Sequence, residues 1–498
     1  MNDSRYKVLV DMSYASLGYC GIAQESRVLL KALYRLERIQ PTGLIFGRDD
    51  AVVGHHFVSS SRLARRMENQ ARFIQALVDR HPPRSVFAPV RGLQQLRRLW
   101  RLTLGRHVRT DVLDSEVFWD AIWRSLLAPS LSEEDIEIAR RCPMLLANLG
   151  GRMLSARSLL GLPSPRLRTP GYDFALFHDS QPIRVGPKTC KLIRYYDMIP
   201  GVRPDLVGSQ ADISNHFRGI RRCLRDSIYV CNSGPTRVDL VRAFPELEER
   251  SVIIPDVLAD GYYPERLPEL LVSILRNRRA DGYGQPNGAQ SLASSWQTVP
   301  PYVLMTSTIE PRKNHVTLIR AFEKLLSRQK TDLRLIIVGQ PGWKCDEAMR
   351  AMKPLIQQQR IIHLVDVPLR ELRVLNTLAE ATVFPSFYEG FGYGPLEAMC
   401  CHTPAVVSDI AAHRWTYGDA ASYFDPYRVD SFVEALEQLL FSPSEGLRQR
   451  LVEAGIERVK LYSVDAAGKK WLALFDELRR QGIGGNVKDA RLARLTLS

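Results

Sequence analysis

FPSFYEGFGYGPLEAM, residues 384–399, places a glycine-rich turn between two acids, Glu389 and Glu397. FPS reads as the end of a strand. GFGYG reads as a tight turn with exposed backbone N–H groups, and Pro395 suits the first position of a helix that LEAMCC continues. A glycine loop feeding a helix start favours an anion, because N–H groups and the helix dipole point at it. The acids are not expected to work as a hydrolase pair. Eight helical residues span ~12 Å, whereas two carboxyls sharing one bond lie ~5 Å apart. Each acid is instead expected to grip a different part of one long ligand, Glu389 a sugar and Glu397 a ribose, since carboxylates accept hydrogen bonds from hydroxyls. The competing readings are a solvated loop acid at Glu389 and a first-turn acid stabilising its own helix at Glu397.

Outward from this stretch, short apolar runs alternate with helical patterns. YVLMTS, LRLIIVG, IIHLVDV, ATVFPS and AVVSD recur in the C-terminal half, with VTLIRAFEKLL as a helix; KVLVDM, DFALFHD, CKLIRYYD, SIYVCNS and SVIIPDV recur in the N-terminal half, with ESRVLLKALYRL as a helix. This alternation predicts an α/β protein with parallel sheets. Residues 265–300 end in a stretch rich in Gly, Ser, Gln and Pro and read as a linker or insertion. The expected plan is an α/β domain over 1–264, a second over 301–475, and a C-terminal helix or tail over 476–498. Ligands of such sheets bind beyond the carboxyl ends of the strands. With two sheets facing each other, the site falls in the cleft between them.

The chain has 498 residues, 45% hydrophobic and 24% charged, with 68 Lys+Arg against 54 Asp+Glu and a net charge of +14. That charge favours anionic partners without choosing among nucleic acid, acidic membrane and phosphorylated ligands; no aromatic–basic motif for nucleic acid is visible. The eight cysteines include no CxxC pair, which argues against zinc and thioredoxin-like sites and suits reduced thiols. MNDSRYKVLVDMSY lacks the apolar core of a signal peptide, and no apolar run approaches the ~20 residues of a membrane span. The expected location is cytoplasmic, extending to the cytoplasmic face of a membrane. The segment 84–110 is a basic insertion: residues 84–109 hold seven arginines and no acid, with Leu93, Leu96, Trp100 and Leu104 at helical spacing. It reads as an amphipathic helix on an anionic membrane, or as a packed helix with a solvated arginine face.

Two further stretches carry chemistry. In TSTIEPRKNHVTLIRAF, residues 306–322, a strand ends and Arg312 and Lys313 open a helical pattern. Two cations at a strand–helix turn suit a diphosphate leaving group; the alternative for Arg312 is an ion pair with Glu310 or with an acid of the 384–399 motif. In LGYCGIAQESRVLL, residues 17–30, Gly21 precedes a helix and can bring N–H groups toward a phosphate or acceptor. Gly18 and Gly21 do not make GxGxxG, and a plain tight turn is the alternative.

With these motifs in hand, the chain resembles the GT-B glycosyltransferases of family 4, a large retaining group with mannosyltransferase-like members. EPRKN stands at 310–314 and E-x7-E at Glu389 to Glu397. SDIAAHRWTYGDAASYFDP, LYSVDAAGKKW, VCNSGPTRVDLV and YDMIPGVRPDL also match. The resemblance covers nearly the whole chain and is strongest over 301–475. It implies two Rossmann-like domains facing across a cleft, the N-terminal one for the acceptor and the C-terminal one for a nucleotide-sugar. By the same resemblance, Lys313 holds the donor diphosphate with Arg312 beside it. Glu389 and the backbone of Gly390, Phe391 and Gly392 meet the transferred sugar and β-phosphate, and Glu397 takes the ribose. Gly21 sits near the phosphate, and His178 and Asp197 line the acceptor side; a structural histidine is the alternative for His178. There are departures. Tyr196 precedes Asp197 where a His is usual, Ser307 stands where many members carry Arg, His402 replaces the Gly of CGTP, and Trp415 replaces a common Glu.

The resemblance therefore predicts a hexosyltransferase, acting with retention, that needs no cofactor. No DxD triplet occurs, so a metal-independent reaction is expected. The motifs lean toward GDP-mannose as donor, and toward a growing lipid-linked glycan or surface polysaccharide as acceptor. Two rival classes stand beside this reading: a nucleotide-sugar epimerase of the same architecture, and a non-catalytic scaffold bound to membrane through 84–110.

Overall fold

The computed structural model describes residues 5–18, 20–47, 62–78, 107–108, 110–147, 149–280, 299–441, 446–484, 487–492 and 495. Most of the basic segment 84–110, and residues 281–298 of the expected linker, lie outside the described residues.

Two parallel sheets form two α/β domains. The N-terminal sheet contains β1 (Tyr6–Asp11), β2 (Ile39–Phe46), β3 (Thr110–Val112), β4 (Met144–Ala147), β5 (Phe174–Phe177), β6 (Cys190–Tyr195), β7 (Ile228–Cys231) and β8 (Ser251–Ile253). Their order is β3-β4-β2-β1-β5-β6-β7-β8. The C-terminal sheet contains β9 (Tyr302–Thr306), β10 (Arg334–Val338), β11 (Ile361–Leu364), β12 (Ala381–Phe384), β13 (Ala405–Ser408) and β14 (Ala421–Phe424), in the order β11-β10-β9-β12-β13-β14. All described pairs of strands are parallel except β3 with β4. The central strands are continuous apolar runs because helices cover both faces; every residue of β5, β7 and β12 is buried.

Every run singled out as a strand in the sequence is one. β2, β3, β4 and β14 were not singled out. Pro41 and Gly43 interrupt the pattern of β2, and the other three have only three or four residues. In each sheet the strand order reverses at one point, between β1 and β5 and between β9 and β12. Ligands of open α/β sheets bind at such switch points.

Part of the expected 265–300 linker is structured. Pro268–Asn277 is a helix whose Leu271, Ile274 and Leu275 pack into the C-terminal core beside Tyr302 and Ile336. The closing helix, Val464–Arg480, is started by Ser463, whose hydroxyl accepts from the Ala466 N–H. It crosses back to the N-terminal domain. Trp471 is fully buried there, Phe475 stacks on Phe174 at 4.4 Å, and the Tyr6 hydroxyl donates to Asp476.

Candidate active site

The two switch points face each other. From the C-terminal domain, β9 leads into a 3-10 turn, Pro311–Lys313, that presents Arg312 and Lys313. Asn314 ends the turn at φ 58°, and its amide donates to the carbonyls of Pro385 and Pro426. The turn is thereby tied to the end of β12, where Glu389 lies. Lys313 Nζ donates to Glu389 Oε1 at 2.6 Å, Arg312 pairs with Glu389 Oε2, and Ser386 Oγ donates to Glu389 Oε1 at 2.8 Å. Arg312 also pairs with Glu310 at 2.7 Å. Both ion pairs considered for Arg312 from the sequence therefore form.

Burial works against the Glu389 carboxylate, but Arg312 and Lys313 outweigh it and hold the group down at about 2. For Lys313, burial and then the Arg312 charge lower the pKa, opposed by Glu389. Burial raises Glu310. The cluster is two cations against two acids, neutral as a whole.

Between the acids, Gly392 needs its glycine. Its φ is +98°, and a Cβ there would lie 2.2 Å from the Tyr417 hydroxyl oxygen. The loop carbonyls are used within the protein: Gly390 O accepts from Ser233 Oγ, Phe391 O from Thr416 Oγ1, and Gly392 O from the Tyr417 hydroxyl. Among the described residues, the N–H groups of Gly390, Phe391 and Gly392 have no such partner. The helix that follows begins at Gly394, one residue before the expected Pro395. Phe391 is only 3% exposed and packs edge-on against Tyr462, so its side chain is core.

Glu397 lies apart from the Arg312–Lys313 cluster. Gln24 Nε2, from the Gly21–Tyr34 helix of the other domain, donates to its Oε1 at 2.9 Å. Burial raises the Glu397 carboxyl to about 7, opposed by hydrogen bonds from Gln24 and Tyr262. Gly21 opens that helix, and a Cβ on it would sit 3.2 Å from the Tyr393 ring. The next residue after Gln24, Glu25, accepts from the Tyr393 hydroxyl at 2.7 Å and pairs with the fully buried Arg194, which also pairs with Asp256.

The N-terminal wall is built from the ends of β1, β5 and β6. Asp197 follows β6 and accepts from the Ile199 N–H. It neighbours Gly390, where a Cβ would approach Asp197 Cβ to 3.2 Å and the Tyr196 carbonyl oxygen to 1.8 Å. The Asp197 charge contributes to raising Arg312, so it faces the Arg312–Lys313 cluster. His178 follows β5, is 1% exposed, and shares a 2.5 Å hydrogen bond through Nδ1 with the Tyr196 hydroxyl. Burial, then Arg194, lowers its pKa to about 3, so it is neutral at ordinary pH. Tyr196, the departure from the usual His, thus connects to His178.

The sequence-predicted residues therefore gather at one seam: Arg312, Lys313 and Glu389 in contact, the 390–392 loop against Tyr196 and Asp197, and Glu397 and Gly21 beside the Gln24–Tyr393 contacts. Sequence reasoning missed Gln24, Tyr262, Ser386, Ser233 and Tyr393. All but Tyr262 lie inside quoted motifs, where their polar side chains were the available signal. The described residues hold no cluster of three or more metal-ligating side chains, and none of their helices is long and apolar enough to cross a membrane.

Residues 291–458 match the family model for Glycosyl transferases group 1. Over 228 residues the chain is 29% identical to O-antigen chain mannosyltransferase B of Escherichia coli, covering 46% of this chain and 55% of that protein. Over 141 residues it is 31% identical to O-antigen chain mannosyltransferase RfbU of Salmonella typhimurium, covering 28% of this chain and 38% of that one. The chain thus spans about half or less of the length of these relatives. The fold is similar to that of sucrose-phosphate synthase from Thermosynechococcus elongatus, with TM-score 0.55 at 15% identity, over 96% of this chain and 100% of that one. The architecture is GT-B.

Proposed function

We propose that the chain is a retaining glycosyltransferase that moves a hexose, with mannose the first candidate, from a nucleoside-diphosphate sugar to a glycan or lipid-linked acceptor in surface polysaccharide synthesis. The observation that carries this reading is the Arg312–Lys313 pair held by Glu389 beside loop N–H groups that have no acceptor among the described residues. As the bond from the anomeric carbon to the phosphate oxygen breaks, negative charge grows on the diphosphate. Lys313, Arg312 and the loop amides are fixed where they can stabilise that charge, in place of a metal ion. The acceptor oxygen bonds to the anomeric carbon on the same face, and its proton passes to the departing phosphate. Glu397 receives the ribose hydroxyls. The mannosyltransferase relatives support mannose and a polysaccharide setting. The enzyme works at the cytoplasmic face of a membrane, with the arginine-rich 84–110 segment meeting anionic lipid.

The test is thermal stabilisation by GDP, UDP, ADP and dTDP, followed by NMR of the product formed from the corresponding sugar donor. One nucleoside diphosphate giving a shift that Glu397→Ala weakens is the expected result. No shift with any of them overturns the donor site, and an inverted anomeric configuration overturns retention.

A further inference from the structure

The two walls of the seam differ in charge. The C-terminal wall carries the Arg312–Lys313 pair. The N-terminal wall carries acids. Asp11 ends β1, fully buried, accepting from the Ser13 N–H at 2.9 Å and from Gln181 Nε2 at 3.1 Å. Asp179 follows His178 and accepts from the Tyr14 hydroxyl at 3.2 Å. Asp197 stands beyond, beside Gly390.

The cations near this wall are committed elsewhere. Arg194 is buried between Glu25 and Asp256. Lys191 donates to the carbonyls of Gln181 and Ile183. Arg203 is bonded to Asp205 and to the Tyr427 hydroxyl. His178 stays neutral and brings no charge.

A second observation is independent of the acids. Among the described residues, His178 Nε2 and Gln181 Oε1 are buried with no hydrogen-bond partner. Buried polar atoms are normally satisfied, and two orphans three residues apart at the same strand end call for a ligand. With Nδ1 engaged by Tyr196, the free ring nitrogen is Nε2. A hydroxyl can serve either orphan, since it both donates and accepts. A phosphate dianion serves neither carboxylates nor Gln181 Oε1, because it has no proton to give them.

We propose that the wall formed by Asp11, Tyr14, His178, Asp179, Gln181 and Asp197 receives the acceptor as an uncharged, polyhydroxylated sugar ring, and disfavours a phosphorylated one at the same place. The proposal rests on the transferase reading for the role of this wall, but not for its ligand chemistry. The charge sorting follows directly: anionic donor on the basic wall, neutral acceptor on the acidic one. Any phosphate of a lipid-linked acceptor then lies away from the 178–197 segment.

The test is saturation-transfer NMR of the whole chain with methyl α-D-mannopyranoside and, separately, D-mannose 6-phosphate, each with and without the best nucleoside diphosphate. The neutral glycoside is expected to bind at least tenfold more tightly than the phosphate. His178→Phe should weaken the glycoside at least fivefold. Asp179→Lys, at an exposed position that tolerates the change, should raise binding of the phosphate. Tighter binding of mannose 6-phosphate, or glycoside binding unchanged in both variants, overturns the proposal. Nucleotide-induced stabilisation in the same samples reports the donor site separately, so its loss would sink the transferase reading without deciding this one.

Discussion

Gln24 and Glu397, 373 positions apart, meet at 2.9 Å across the two domains. The contact makes the expected ribose acid a shared group, held by one domain and bonded by the other. Burial raises Glu397 from 4.5 to about 7 while Gln24 pulls it down. Between pH 4.5 and 7 the folded protein therefore keeps a proton that the unfolded chain loses. The resulting stabilisation is complete below 4.5 and is lost as pH rises through 7, at up to roughly 1.4 kcal/mol per pH unit. Glu397→Gln should flatten this part of the curve, and Gln24→Ala should push its upper end above pH 7. Urea unfolding from pH 4.5 to 8 measures both; a curve that Glu397→Gln leaves unchanged rules the assignment out.

Lys313→Ala should slow transfer by about 100- to 1000-fold in kcat, the usual loss for one donor to a developing anion, about 3 kcal/mol. The fold should hold, because Arg312 still pairs with both Glu310 and Glu389. Initial rates with saturating donor, beside a melting curve, check both halves.

Gly390→Ala puts a methyl 1.8 Å from the Tyr196 carbonyl oxygen, a backbone atom that cannot rotate away. The loop and the N-terminal wall must separate. The expected cost is roughly 1–3 kcal/mol, together with loss of transfer. Full activity in this variant would show that the 390 loop does not need to touch Tyr196.

His402→Gly should stabilise the protein. His402 is exposed and sits at φ +61°, a left-handed conformation that costs a side-chain residue about 1–2 kcal/mol. The greater freedom of glycine in the unfolded chain returns about 0.4–1 kcal/mol, leaving a gain of about 1 kcal/mol in chemical denaturation. A lower melting temperature in this variant contradicts the strain argument. The same backbone angle suits the glycine that the resemblance leads one to expect at this position.

Trp471→Ala should cost about 3–5 kcal/mol, because the ring is fully buried against the N-terminal core although it lies in the closing helix. The loss should appear in whichever urea transition reports Tyr6 and Phe174, its neighbours in that core.

What the sequence made legible follows from how local each signal is. β12, its glycine loop and the helix Gly394–Cys400 lie within residues 381–400, so periodicity, glycine and proline all bear on one stretch. Lys313 and Arg312 were readable for the same reason. The Gln24–Glu397 bond, the Tyr393–Glu25 bond and the seat of Trp471 depend on how two sheets come to face each other, and no spacing in the chain encodes that directly. β2 escaped because a proline and a glycine sit inside it; neighbouring β1 and β4 supply the pairing that its own pattern hides.

The crossing helix Val464–Arg480 has a consequence for the order of assembly during translation. The sheet begun by Tyr6 has its core closed by Trp471, Leu474 and Phe475. As the chain emerges from the ribosome, the earlier domain waits with an apolar face uncovered while the later one is made. The domain synthesised first is finished last, and a stalled or truncated nascent chain exposes the surface that chaperones recognise.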